Sequence, residues 1–131
     1  MQLDELDEET FEPSFITDLG VMELQGNLLF KIPKMVSTFN SLYSLNLSRN
    51  QFEEIPYAVL RIPNLETLNM TQNHVTHLPH TISQVANTLQ SLYLDMNPIV
   101  KITEKLLSLR KLHDLSLNWF LFVTDGKQPC L

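Results

Sequence analysis

The asparagines at positions 27, 50, 73 and 97 step by 23, 23 and 24 residues, and each closes the same phrase. Around the second of them the phrase runs Leu42-x-x-Leu45-x-Leu47-x-x-Asn50-x-Phe52. Upstream it is Leu19, Met22, Leu24, Asn27 and Leu29. Downstream it is Leu65, Leu68, Met70, Asn73 and Val75, then Leu89, Leu92, Leu94, Asn97 and Ile99. A fifth copy begins with Leu112, Leu115 and Leu117, but Phe120 stands where asparagine is due. A unit this short cannot bury its own apolar face. Stacked units bury a continuous core, so the period dictates a repeat array.

Each position in the phrase has a physical reason. Leu45 and Leu47 alternate with polar residues, which turns one face of a short strand inward. The asparagine carries donors and an acceptor on one short side chain, so at the bend after the strand it can satisfy backbone groups left unpaired there. A second regularity follows. Ile32-Pro33, Ile55-Pro56 and Leu78-Pro79 trail their asparagines by five and six residues, and the fourth unit has Ile102-Thr103 instead. Val36 and Phe39, Val59 and Ile62, and Ile82 and Val85 come next, at spacing that predicts a short helical turn with proline at its first position.

From about Leu19 to Phe122 the chain resembles the leucine-rich repeat superfamily. The I/L-P step and the 23-residue period are similar to an intracellular group: Ras-suppressor-type, LAP-type and plant intracellular Ras-group repeats. The resemblance implies an α/β solenoid of about five repeats, with a short curved parallel sheet on the concave side and helical turns on the convex side. It also implies non-catalytic protein binding in a signalling context, with a small GTPase or another signalling protein as candidate partner. Fold alone does not decide function, so the alternatives are a recognition arm of a larger enzyme, such as a phosphatase or ubiquitin ligase, and a self-associating structural protein.

At 131 residues the chain reads as one repeat domain, 19–122, between an acidic leader, 1–18, and a tail, 123–131. Asp4, Glu5, Asp7, Glu8, Glu9 and Glu12 place six of the fifteen acids in the first twelve residues, leaving a near-neutral body. That leader reads as a solvated tail or N-terminal cap, or as a docking segment for a basic partner. It has no basic n-region, and Cys130 has no second cysteine to pair with. Both points predict an intracellular, cytoplasmic chain. No long uncharged apolar run predicts a membrane span, and no Lys/Arg cluster predicts nucleic-acid binding.

No constellation for catalysis, cofactor or metal emerges. Gly20 and Gly26 are wrongly spaced for a phosphate loop. Cys130 lies beside the terminus, where a held nucleophile is not expected. His74, His77 and His80 read as solvated turn histidines, because no cysteine or ordered carboxylate completes a tetrahedral set. The sequons at Asn46 and Asn69 arise from the repeat phrase itself.

Binding is therefore expected on the concave sheet. Its columns are Glu23, Asn46, Asn69, Tyr93 and Ser116, then Gln25, Ser48, Thr71, Asp95 and Asn118, then Gly26, Arg49, Gln72, Met96 and Trp119. Interfaces draw most of their energy from Trp, Tyr and Arg anchors. The candidate partner-binding residues are Arg49, Asn69, Gln72, Tyr93, Asp95, Met96, Asn118 and Trp119. The edge formed by Trp119, Phe120, Leu121 and Phe122 reads either as an improvised cap or as a surface for a partner or a second copy.

Overall fold

The computed structural model describes residues 2–11 and 17–118. Five strands of three residues each, β1 (Val21–Glu23), β2 (Ser44–Asn46), β3 (Thr67–Asn69), β4 (Ser91–Tyr93) and β5 (Asp114–Ser116), form one parallel sheet in chain order. Register follows the period. Leu45 lies opposite Met22 and Leu68, and Leu92 opposite Leu68 and Leu115. Pairing continues past each strand into the bend, where Arg49 N–H donates to Thr71 O and Gln72 N–H to Asp95 O. The predicted solenoid of about five repeats is the observed architecture.

On the opposite side the chain makes one tight turn per repeat. Three are 3-10 turns, Lys34–Thr38, His80–Val85 and Glu104–Ser108, and only Tyr57–Leu60 is α-helical. A handful of residues between bend and return leaves room for little more than one turn, the length at which 3-10 geometry is common. The prolines precede these turns rather than opening them. Pro33, Pro56 and Pro79 sit at the N-cap position in extended backbone, with φ of −59°, −60° and −75°. Thr103 takes the same position in the fourth repeat. Its side chain accepts the N–H of Lys105 and shares a 2.9 Å hydrogen bond with His80 Nδ1.

The additional residue of the 24-residue step is absorbed at the return from the third turn. Leu42 and Leu112 close their returns by bonding to Phe39 O and Leu109 O, three residues back. Leu89 bonds instead to Val85 O, four residues back, at 3.0 Å. One wider turn keeps the strand register intact.

Every apolar position of the phrase stacks on its equivalent. Leu29, Phe52, Val75 and Ile99 form one buried row, and Leu42, Leu65 and Leu89 another. The rows loosen at the last described repeat, where Leu115 is 42% and Leu107 89% exposed. At the other end the leader closes the stack. Leu3 donates its N–H to Asn27 Oδ1 and accepts from Leu28 N–H, Leu6 is buried, and Glu5 pairs with Lys31. Phe11 meets Phe39 edge to face, with ring centroids 5.3 Å apart. Residues 2–11 thus lie on the first repeat and are not a free solvated tail.

Candidate protein-binding face

The bend asparagines build the rim of the concave face. Asn73 donates through Nδ2 to Leu47 O, Met70 O and Thr71 O, and its Oδ1 accepts the N–H of Phe52. Asn50 and Asn97 repeat this pattern one unit away on either side. Each buried side chain therefore ties two neighbouring repeats together and sets the exit angle of the strand. Immediately before each one the backbone turns left-handed: φ is +71° at Gly26, +54° at Arg49, +56° at Gln72 and +58° at Met96. That geometry tilts Arg49, Gln72 and Met96 outward as an exposed row along the end of the strands.

Of the residues singled out in the sequence, Arg49, Gln72 and Met96 share this row. Asn69 and Tyr93 are cross-strand partners beside it on β3 and β4. The Arg49 guanidinium reaches over Gly26, where an added Cβ would lie 3.5 Å from its terminal nitrogen. Asp95 has a different role. Its carboxylate accepts the Ser116 hydroxyl at 2.6 and 2.7 Å and the Asn118 N–H at 2.7 Å, so it serves as a strut between the fourth and fifth repeats. Asn46 and Asn69 do similar local work, each accepting the N–H two residues on. Trp119 and the aromatic edge at Phe120 and Phe122 lie outside the described residues.

Sequence reasoning missed one column and the tyrosine beside it. Residues preceding the central leucine face the same side as those following it. Val21, Ser44, Thr67, Ser91 and Asp114 therefore also line the sheet, with Tyr43 beside them. Tyr43 is 48% exposed and its ring covers Gly20, where a Cβ would come within 2.7 Å of Cε1. The N-terminal half of the face thus holds an aromatic anchor beside half-exposed Val21. Strand alternation around Leu45 was the signal that could have found Ser44 and its column, whereas it places Tyr43 on the inward side, so the exposure of that ring was legible only in the structure. On β5, Asp114 accepts the Ser91 hydroxyl at 3.2 Å and lies 3.2 Å from His113 Nδ1. His74, His77 and His80 are all exposed on the segment that follows the Asn73 bend, His77 bonding Thr76 and His80 bonding Thr103.

A family model described as leucine rich repeat matches residues 40–99. A leucine-rich repeat protein of Leptospira interrogans superposes over 89% of this chain with a TM-score of 0.78 and 29% identity. This chain has the leucine-rich repeat fold. The repeat domain of the type III effector XopL aligns over 82% of the chain with a TM-score of 0.59 at 19% identity. A plant peptide hormone receptor, RGFR1, solved in complex with RGF2, aligns over 76% with a TM-score of 0.55 at 21% identity. No curated protein sequence matches the chain. This leucine-rich repeat chain spans 29%, 48% and 20% of those three structures respectively. The leucine-rich repeat fold is a general protein–protein interaction module.

Proposed function

We propose that this leucine-rich repeat chain is a non-catalytic adaptor or scaffold that binds a protein or peptide on its concave sheet. The observation that carries this is the exposed row Arg49, Gln72 and Met96 beside the registered pair Asn69 and Tyr93. Buried asparagines hold that row in place, so little ordering cost falls on the repeat side. Tyr43 and Val21 extend the surface at its N-terminal end. The plant peptide hormone receptor solved in complex with RGF2 has the same fold, which supports a peptide as one kind of occupant. The Ile-Pro steps and the single cysteine support an intracellular, I/L-P type protein in a signalling context, with a small GTPase among the partners to test.

The test is affinity capture with the purified chain, followed by mass spectrometry, for wild type, Arg49→Ala and Tyr93→Ala. A partner retained by wild type and depleted about tenfold by both variants, at unchanged melting temperature, supports the concave face. Equal capture by all three removes it.

A second reading rests on the exposure of Leu107 and Leu115 at the last described repeat. Such an apolar end suits a second copy, or the repeats of a larger protein that uses this domain as its recognition arm. A concentration-dependent mass in light scattering would favour the second copy.

A further inference from the structure

A groove of about 600 Å³ lies on the far side from the strands, between the turns Lys34–Thr38 and Tyr57–Leu60. Its walls are Phe30 and Tyr57, 55% and 53% exposed, over a floor of Ile32, Pro56 and Ala58. Large aromatics standing this far out of the core in facing positions are not explained by repeat stacking. The positions equivalent to Phe30 in the next repeats hold Glu53, Thr76 and Val100, so the repeat phrase does not demand an aromatic there.

Charge singles out the same groove. Lys31, Lys34 and Arg61 line it, three of the nine Lys and Arg in a chain of net charge −6, against one lining carboxylate, Glu54. Lys31 is paired with Glu5 and lies 5.6 Å from the centre of the Phe30 ring. Arg61 stacks 5.7 Å from the centre of the Tyr57 ring and donates to its hydroxyl oxygen at 3.2 Å. Among the described residues, neither Lys34 nor Arg61 forms an ion pair.

We propose that this groove binds an acidic peptide segment of a partner protein, separately from the concave face. An apolar side chain of the segment enters between Phe30 and Tyr57. Flanking carboxylates meet Lys34 and Arg61, whose orientation is already set on the Arg61 side by the stacked tyrosine. The volume matches a few side chains rather than a helix face, and a walled groove admits an inserted side chain better than the flat surface of a bilayer.

The test uses the full chain and fluorescence anisotropy with a short labelled peptide in which Glu and Asp flank a Leu-Phe centre. Controls are the same peptide with Gln and Asn, and phosphatidylserine-containing vesicles. The expected result is binding of the acidic peptide about tenfold tighter than the neutral one, weakening as salt is raised. Lys34→Gln with Arg61→Gln should abolish that preference, Tyr57→Ala should weaken both peptides, and Tyr93→Ala on the concave face should change neither. Lys34, Tyr57 and Arg61 are exposed and Tyr93 is partly exposed, and circular dichroism of each variant checks that it folds. No peptide binding, equal affinity for both peptides, an acidic preference that survives the double substitution, or binding to vesicles alone would each overturn the proposal.

Discussion

Asn73 accepts the backbone N–H of Phe52 at 3.0 Å, across 21 residues of sequence and from one repeat to the one before it. The same amide group donates to Leu47 O and Met70 O, both at 3.0 Å, so one buried side chain joins the strand ends of two repeats. Asn73→Ala leaves the Phe52 N–H and both carbonyls without this partner in a buried bend. The expected loss is roughly 2–4 kcal/mol, since each stranded buried group costs about 1–3 kcal/mol. Urea unfolding measures it. A loss under about 1 kcal/mol would mean that water or a relaxed bend replaces the asparagine.

Gln72 holds a φ of +56°, where a β-branched side chain is strained and glycine is not. Gln72→Val should destabilise by about 1–2 kcal/mol. Gln72→Gly should fall near zero, because relief of strain is offset by about 0.5–1 kcal/mol of unfolded-chain entropy. Chemical denaturation of both variants distinguishes backbone conformation from loss of the glutamine side chain. The side-chain explanation predicts equal effects.

Leu6, within the leader, is 5% exposed, and Leu3 of the same segment accepts from Leu28 N–H. Leu6→Ala should cost about 2–3 kcal/mol, the lower part of the range for a buried leucine, because the site is at the end of the stack. Hydrogen exchange at Leu28 should accelerate with it. Unchanged protection there would detach the leader from the stability of the first repeat.

Thr103 replaces the proline of the first three turns and accepts the N–H of Lys105 at 3.2 Å. Thr103→Val keeps the shape but removes the cap and the His80 bond, at a cost of about 1 kcal/mol. Thr103→Pro should cost less than that, since Pro33, Pro56 and Pro79 occupy the same place in extended backbone. Thermal melts of the two variants rank them, and a larger loss for proline would show that the fourth turn does not accept the ring at 103 as the first three do.

Much of the fold was legible because the repeat phrase is local and periodic. Asparagines 23 or 24 residues apart dictate equal loops, equal loops dictate register, and the alternation around Leu45 dictates which side chains enter the core. The candidate face was legible only in part. Arg49, Gln72 and Met96 share a sequence position, and the sheet brings them into one row as expected. Asp95 also sat in the expected column, yet its partners Ser116 and Asn118 come from the next repeat and turn a candidate anchor into a strut.

The sequence by itself determined the repeat, its period, the inward rows and the bend asparagines, because stacking identical units leaves one arrangement that buries every leucine. Only the tertiary structure decided what neighbouring units do to each other: the left-handed backbone before each asparagine, the ring of Tyr43 over Gly20, and the leader's Leu3 serving Asn27 as a preceding repeat would. Those outcomes depend on contacts between residues about one repeat apart, and no single phrase contains both partners.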